Sequence, residues 1–226
     1  FSRSGVDVAG MTDGFARAVF FDLDHTLLSF ETAYATVLRE VTERHFGAGD
    51  EAFEVTYSDR FLELLGDHVE EPYRRAFEHA LAEHDYSDAG VSVDALVETL
   101  REREVAGVAP APGVERVLEA LRERDVGVGV LTNGVPAFQL AKLRGHDLDA
   151  YVDATVVSYE AGAHKPDERA FALAAERLPA DEYVMVGDSY EADVEGARAM
   201  GWRGVHYAPD GESPDGDDAL ADFETL

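Results

Sequence analysis

Residues 18–26 read AVFFDLDHT, a short apolar run that ends abruptly in acidic residues. The run at 18–21 is too short for a helix and is rich in strand formers, so it predicts a buried β-strand. Asp22 and Asp24 follow at the point where that strand would end. Because ligands of open α/β sheets bind outside the carboxyl ends of the strands, this stretch predicts part of a functional site.

From about residue 30 to 105, apolar residues recur at helical spacing. The four stripes lie at residues 34–41, 53–65, 73–81 and 96–100. We find no convincing strand pattern among them, and Pro72 is typical of a helix start. Residues 30–108 are therefore predicted to form an all-helical domain inserted after the first strand.

The pattern beyond residue 109 alternates between strand and helix. Strands are predicted at residues 126–131, 155–157, 183–186 and 205–207. Helices are predicted at residues 114–121, 136–144, 166–177 and 189–200. Such alternation predicts an α/β fold with a doubly wound, mostly parallel sheet.

Domain boundaries follow from these patterns. The α/β core is predicted to comprise residues 16–29 and 109–208, with tails at 1–15 and 209–226. The second tail contains seven acidic residues and no basic one, so we expect it to be solvated.

The composition excludes several classes of protein. The chain has 226 residues, a formal net charge of −28 and no cysteine, so disulfides, thiolate nucleophiles and Cys-ligated zinc are ruled out. A field this negative repels phosphate backbones and anionic lipids, so neither nucleic acid nor a membrane is expected as a partner. No apolar run approaches the roughly 20 residues of a membrane span, and no signal-peptide pattern is present. We expect a soluble, cytoplasmic protein.

The excess of acids is paired with a scarcity of lysine. There are 47 Asp and Glu against 19 Lys and Arg, and only two of the basic residues, Lys142 and Lys165, are lysines. This composition is typical of proteins from halophilic archaea, because surface carboxylates stop repelling one another when the Debye length falls to about 3 Å in 1 M salt. The alternative is incidental acidity with Arg usage set by a GC-rich genome, which does not account for the excess of acids.

The halophilic interpretation predicts that stability depends on salt. The midpoint of thermal unfolding is expected to rise between dilute buffer and multimolar KCl, because screening removes the repulsion among surface carboxylates. A midpoint that stays the same across this range would contradict the interpretation.

Polar residues suited to one reaction follow four of the predicted strands. They are Asp22, Asp24, Thr132, Asn133, Lys165, Asp188 and Asp193. A carboxylate can act as a nucleophile toward phosphorus, and a neighbouring acid can protonate the leaving oxygen. Each residue also has an ordinary structural interpretation, such as a helix cap, a strand-end turn or a solvated surface lysine.

Convergence of the carboxylates would change their chemistry. If the fourth predicted strand pairs beside the first, Asp188 and Asp193 face Asp22 and Asp24. Several carboxylates at close range repel one another unless a cation lies between them, and an all-oxygen site suits Mg²⁺. Lys165 would then supply a compact positive charge for a phosphate.

In combination, these residues and their spacing resemble the four motifs of the haloacid dehalogenase-like hydrolases. The pattern comprises D-x-D-x-T at 22–26, Thr132, Lys165-Pro166 and G-D-x4-D at 187–193. The helical insertion is similar to the cap domain of the first subclass of that superfamily. The resemblance extends from about residue 18 to 207.

The resemblance implies a role for each site residue. Asp22 would be the nucleophile that forms an aspartyl-phosphate, and Asp24 the general acid and then the general base. Thr132 and Lys165 would bind the phosphoryl oxygens. The position of Asn133 and Gly134 at the strand end indicates that their backbone amides would donate to the same oxygens. Mg²⁺ would be held by Asp22, the Asp24 carbonyl and Asp188, with Asp193 close by or acting through water. Thr26 would support the loop geometry.

The expected function is hydrolysis of a small phosphorylated metabolite. Asp24 favours a phosphatase over a 2-haloacid dehalogenase, because displacing halide needs no protonation of the leaving group. The dehalogenase and a non-catalytic domain that binds a phosphorylated ligand or a protein remain alternatives.

Other residues give weaker indications about the substrate. Residues 131–134 with Gln139 and Lys142 resemble the nucleotidase and acylneuraminate-9-phosphatase branch, although two such residues on a helix normally form an exposed face. Phosphoglycolate phosphatase-like activity is a further alternative. Candidate substrate contacts in the insertion are Phe30, Tyr34 and Arg39. His25 stands where many relatives have glycine.

Overall fold

The protein is represented by a computed structural model that describes residues 14–84, 86, 90–209, 213 and 219–223. In chain order the strands are β1 (Phe15–Phe21), β2 (Leu28–Phe30), β3 (Val108–Pro110), β4 (Gly127–Thr132), β5 (Ala154–Val157), β6 (Ala180–Gly187), β7 (Arg203–Tyr207) and β8 (Ala219–Leu220). Six of them form one sheet in the order β5-β4-β1-β6-β7-β8, and every pairing is parallel. The predicted fold class is confirmed.

Strand β1 lies at the centre of the sheet and is covered on both faces. Val19 and Phe21 belong to the apolar cluster on one face, whereas Ala18 and Phe20 belong to the cluster on the other. Successive side chains of a strand point to opposite faces, so a strand buried on both sides has a continuous apolar run. This arrangement explains why residues 18–21 lack a polar residue.

The helices, in chain order, are α1 (Tyr34–Phe46), α2 (Glu51–Gly66), α3 (Pro72–Glu83), α4 (Val93–Ala106), α5 (Val114–Glu123), α6 (Pro136–Gly145), α7 (Ser158–Ala161), α8 (Glu168–Arg177) and α9 (Gly196–Ala199). Helices α5 and α6 contribute to the cluster on one face of the sheet, and α8 and α9 to that on the other. Flanking helices on both faces make the sheet doubly wound.

Helices α1 to α4 form the insertion between the first and second strands of the large sheet. They share a separate apolar cluster that includes Tyr57 and Phe77. Strands β2 and β3 pair antiparallel at the two ends of the insertion and so bring its entry and exit together. The core contacts the insertion through Phe138 of α6, whose ring stacks on Tyr73 with 3.5 Å between centroids.

The segment 189–200 differs from a regular helix. It forms a π-helical turn at Tyr190–Glu195 that continues into the short α9. Ser189 caps the turn by accepting a hydrogen bond from the Ala192 amide. Gly187 precedes it, and the Asp193 carboxylate occupies the space that a side chain at Gly187 would need.

The prediction of a solvated tail at 209–226 is wrong for residues 219–223. Ala219–Leu220 extends the sheet as β8, and the buried ring of Phe223 lies 4.8 Å from that of Tyr207. A two-residue strand and one aromatic ring among seven acids give no periodic signal. The other residues after Pro209, apart from Ser213, lie outside the described residues.

At the other end of the chain, residues 1–13 of the predicted N-terminal tail also lie outside the described residues. Strand β1 begins at Phe15, one residue inside that predicted tail. None of the described helices is long and apolar enough to cross a membrane.

Candidate active site

All seven predicted site residues line one cavity of about 200 Å³ at the carboxyl edge of the sheet. Asp22 follows β1, and its amide donates to the Val186 carbonyl at 2.9 Å, which continues the pairing of β1 with β6. Because β1 lies between β4 and β6, residues that follow these three strands converge on the same edge. The sequence places the residues far apart, and the strand order brings them together.

Lys165 lies beneath the cavity with a side chain that is only 2% exposed. Its Nζ donates to Asp22 Oδ1 at 2.8 Å, to Asp193 Oδ1 at 2.6 Å and to the Leu131 carbonyl at 2.7 Å. Burial acts to lower the pKa of Lys165, but the two carboxylates outweigh it and raise that pKa above its usual value. The ammonium is therefore charged and fully hydrogen-bonded.

Asn133 fixes the backbone of Lys165. Its Oδ1 accepts from the Lys165 amide at 2.8 Å, and its Nδ2 donates to the Lys165 carbonyl at 3.2 Å. The peptide bond between Lys165 and Pro166 is cis, and α8 begins two residues later, where Asp167 accepts from the Arg169 amide. The helix predicted from residue 166 therefore begins at residue 168.

The carboxylates of the site outnumber the positive charges beside them. The pKa of Asp22 is raised to about 6, chiefly by burial, with the charge of Lys165 acting to lower it and that of Asp193 to raise it. Burial and the charge of Asp22 also raise the pKa of Asp188. One oxygen from each of Asp22, Asp188 and Asp193 lies within 4.8 Å of the others. Three carboxylates beside one ammonium are a donor set that fits a hard divalent cation such as Mg²⁺.

Asp193 and Asp188 differ in how they are held. Both oxygens of Asp193 accept hydrogen bonds within the chain, one from Lys165 Nζ and the other from the Ser189 amide at 3.1 Å. Asp188 is held by Thr26, which accepts from the Asp188 amide at 3.0 Å and donates to Oδ1 at 3.3 Å. Both residues line the cavity, but only Asp193 also anchors Lys165.

Asp24 is held by two residues of α6. Lys142 Nζ donates to Oδ1 at 2.7 Å and to Oδ2 at 2.6 Å, and Gln139 Nε2 donates to Oδ2 at 2.9 Å. Both were expected on an exposed face and are instead buried, at 3% exposure each. The sequence does contain a signal for Lys142. Lysine is so scarce in this chain that both lysines, and not only Lys165, are candidates for a functional role.

Glu104 of α4 adds a further buried charge beside Lys142. Its Oε2 lies 3.9 Å from Lys142 Nζ. Burial raises the pKa of Glu104 to about 7, with Lys142 acting to lower it and Asp24 to raise it. No sequence pattern marks this residue, because it lies on the helical insertion, far from the strand-end motifs.

Replacing Glu104 by Gln is expected to flatten the pH dependence of stability. In the folded protein the pKa of Glu104 is about 7, against 4.5 for the ordinary group, so the folded state binds more protons between these values. The contribution of Glu104 to the free energy of unfolding is fully present below its unfolded pKa of 4.5. This contribution, at most about 3 kcal/mol, is lost as the pH rises through the folded pKa of about 7.

The measurement is urea unfolding of both proteins at about pH 5 and about pH 8, in the same salt. Wild type should lose more unfolding free energy than Glu104→Gln on going to the higher pH. An equal loss in both proteins would show that folding does not raise the pKa of Glu104.

The predicted phosphate donors have partners of their own in this structure. Thr132 Oγ1 accepts from Gln139 Nε2 at 2.8 Å, and the Gly134 amide donates to Ser158 Oγ at 3.0 Å. The hydroxyl of Thr132 donates to the Asn133 carbonyl at 3.4 Å, so it has to rotate away from that carbonyl to donate to a phosphoryl oxygen. Gly134 has φ +139°, a conformation that favours glycine.

His25 and the candidate contacts of the insertion lie near the cavity in different ways. His25 has φ +61°, the left-handed region that glycine enters freely, and its ring stacks on Phe30 at 4.4 Å. His25 lines the cavity, whereas Phe30, Tyr34 and Arg39 are not among its lining residues in the described part of the chain. Arg39 instead lies 3.9 Å from Glu54.

The fold and this site are those of an α/β enzyme with an acidic centre at the carboxyl edge of its sheet. A family model described as haloacid dehalogenase-like hydrolase matches residues 16–201, and the chain belongs to this family. The predicted family is confirmed.

Several curated relatives cover most of the chain. A ribulose-1,5-bisphosphate 5-phosphatase of Halopiger xanaduensis is 33% identical over 88% of this chain and 87% of its own length. A phosphoserine phosphatase of Thermus thermophilus is 31% identical over 92% of this chain and 94% of its own length. A glyceraldehyde 3-phosphate phosphatase of Pyrococcus abyssi is 29% identical over 84% and 81%. These relatives support the predicted class of enzyme, a phosphatase of this family.

Solved structures share the fold. A putative HAD-hydrolase of Bacillus subtilis, bound to magnesium, has a TM-score of 0.69 at 23% identity and covers 94% of this chain and 97% of its own. A 2-haloacid dehalogenase of Pseudomonas syringae has a TM-score of 0.67 at 29% identity and covers 92% and 95%. Enzymes that act on phosphate esters and on haloacids therefore both occur among proteins similar to this one.

Proposed function

We propose that the protein is a Mg²⁺-dependent phosphomonoester hydrolase that acts on a small metabolite through an aspartyl-phosphate. The observation that carries the proposal is the placement of Asp22 at the end of β1, hydrogen-bonded to buried Lys165 and facing the cavity that Asp24 also lines. A carboxylate nucleophile, a fixed positive charge and a second acid for proton transfer are the groups that this reaction needs.

In the first step an Asp22 oxygen attacks phosphorus and the ester P–O bond breaks. Asp24 gives its proton to the departing oxygen, so the product leaves as an alcohol. In the second step Asp24 takes a proton from water, whose oxygen attacks the aspartyl-phosphate and releases inorganic phosphate and the Asp22 carboxylate. Thr132 donates to the phosphoryl oxygens, and Lys165 turns one N–H from Asp22 toward them, because all three of its donors are engaged before substrate binds.

The residues that would hold Mg²⁺ are Asp22, Asp188 and the backbone carbonyl of Asp24. The fit rests on the unbalanced negative charge described above and on donors that are all oxygen. When bound, the ion supplies charge neutralisation to the phosphoryl group. Asp193 orients Lys165 at the edge of the same cluster.

The helical insertion serves as a cap that limits access to the cavity. The last turn of α2 and the loop after it contact Tyr159 of the core, whose hydroxyl donates toward the carbonyls of Leu64 and Val69 at 3.4 and 3.3 Å. His164, next to Lys165, also contacts the Leu65 carbonyl at 2.9 Å. Excluding water over the site strengthens its electrostatics and prevents loss of the intermediate.

A small substrate is favoured by three of the curated relatives. The cavity of about 200 Å³ shares His25 and Asp188 with an adjoining cavity of about 830 Å³, so its own volume does not limit the substrate. The named substrates of the relatives, ribulose 1,5-bisphosphate, phosphoserine and glyceraldehyde 3-phosphate, are all compact phosphate esters. We assign the same class to this protein.

A second candidate is a 2-haloacid dehalogenase, favoured by the fold and the 29% identity of the Pseudomonas syringae enzyme. Asp24 argues against it, since a halide ion leaves without a proton. A silent phospho-ligand-binding domain is the third, and it has no need for the paired acids that line this cavity.

The test is release of phosphate from p-nitrophenyl phosphate and from the three metabolite esters in molar KCl, with Mg²⁺ and after chelation. The Asp22→Asn variant serves as the blank, and chloride release from 2-chloropropionate is measured alongside. Magnesium-dependent phosphate release above the blank supports the proposal. Its absence with every ester overturns the proposal, and chloride release would then identify the dehalogenase.

A further inference from the structure

We propose that Lys142, together with Gln139, positions the Asp24 carboxylate for proton transfer to and from the substrate. The inference rests on the proposed function, because it concerns the acid and base of that reaction. Lys142 does not line the cavity in the described part of the chain, so it acts through Asp24 as a positioning residue.

The geometry fixes Asp24 from one side. Lys142 and Gln139 lie one turn apart on α6 and together donate to both oxygens of the carboxylate, at 2.6 to 2.9 Å. Gln139 also donates to Thr132 Oγ1, which links the acid to a phosphate-binding hydroxyl. Asp24 itself is 26% exposed, so without these donors water would compete for its oxygens.

Burial of Lys142 makes its ammonium depend on Asp24 as a partner. The Lys142 side chain is 4% exposed, and a buried ammonium needs carboxylate or carbonyl partners. Asp24 is its hydrogen-bonded partner, whereas Glu104 lies at 3.9 Å, beyond hydrogen-bond distance. Removing Asp24 from its present place would leave the charge of Lys142 poorly compensated, so the position of the carboxylate is strongly favoured.

The competing explanation is purely architectural. Lys142 lies between Asp24 of the core and Glu104 of the insertion, so it would also stabilise the contact between α6 and α4. Such a role would change stability and lower the rate with all substrates alike. Positioning of the acid instead depends on the leaving group, because a poor leaving group needs its proton more than a good one does.

The experiment compares phenyl phosphate with p-nitrophenyl phosphate, two esters of almost the same shape whose leaving groups differ in basicity. We expect Lys142→Met to lower kcat/KM for phenyl phosphate on the order of 10-fold more than for p-nitrophenyl phosphate. The ratio kcat/KM reports the steps through release of the phenol, so later hydrolysis of the aspartyl-phosphate does not obscure the comparison.

Two further variants separate positioning from folding. Arg144→Met removes an exposed cation from the same helix and should leave both kcat/KM values unchanged. In the single variant Lys142→Met, Glu104 loses the positive charge beside it. Combining the change with Glu104→Gln removes this unpaired negative charge. The double variant should unfold at nearly the wild-type temperature and keep the leaving-group selectivity of Lys142→Met.

Each outcome bears on one proposal. A wild type without activity on either ester counts against the proposed function. An active wild type in which Lys142→Met and the double variant lose equal factors on both esters would falsify the positioning role alone. A larger loss on phenyl phosphate in both variants supports it.

Discussion

Asp22→Asn is expected to abolish turnover, with a loss on the order of 10⁴-fold or more in kcat for p-nitrophenyl phosphate. The amide is nearly isosteric with the carboxylate, but it is a poor nucleophile and carries no charge. Folding should survive the change, because Lys165 keeps its hydrogen bonds to Asp193 and to the Leu131 carbonyl. The measurement is nitrophenolate release alongside thermal unfolding of both proteins.

The matched control is Asp24→Asn, which keeps the nucleophile and removes the acid and base. With p-nitrophenyl phosphate the first step needs little protonation, so one nitrophenolate per site should appear in a burst. The aspartyl-phosphate should then persist, because no base activates water, and mass spectrometry of the intact protein should detect one added phosphoryl group. Comparable turnover by Asp22→Asn and wild type would exclude Asp22 as the nucleophile.

Lys165→Met is expected to impair both stability and activity. The change leaves Asp22 and Asp193 buried without their shared cation, and breaking a buried pair in this way typically costs about 3–5 kcal/mol. The pKa of Asp22, already raised to about 6, would rise further, so the carboxyl would be protonated near neutral pH and unable to attack phosphorus. We expect kcat/KM to fall on the order of 10³-fold, since a charge aimed at the phosphoryl group is also lost.

Urea unfolding and p-nitrophenyl phosphate turnover measure the two effects. The loss of stability should shrink as the pH is lowered, because protonation neutralises the carboxyls that Lys165 no longer balances. Lys165→Met combined with Asp193→Asn should recover much of the stability, since Asn keeps an acceptor for the Ser189 amide without a charge. Activity should not recover in this double variant. A fully active Lys165→Met protein would rule out the role given to the ammonium.

The fold was predictable because its strands are short apolar runs separated by amphipathic helices. Residues 18–21 form a continuous apolar run for a physical reason, since β1 is packed on both faces. The strand-end rule then located Asp22 and Asp188 without any knowledge of strand order. What the rule does not supply is the pairing of β1 with β6, which brings these two carboxylates to one cavity.

Helical periodicity alone does not predict the support of Asp24, for a similar reason. Helical periodicity shows that Gln139 and Lys142 share a face of α6, but it does not show what packs against that face. The missing information was tertiary, namely that the loop after β1 and Glu104 of α4 both approach α6. Phe223 likewise gave no signal, because one aromatic residue among acids defines no period.

The chain has two lysines, and the structure buries both of them beside the candidate active site. Reagents that acylate primary amines therefore meet no exposed side-chain target on the folded protein. Lys142 of α6 lies beside Glu104 of α4, so the rate of its acylation would report how often that contact opens. With so few amines in the chain, acylation of a native lysine would measure this opening without an added label.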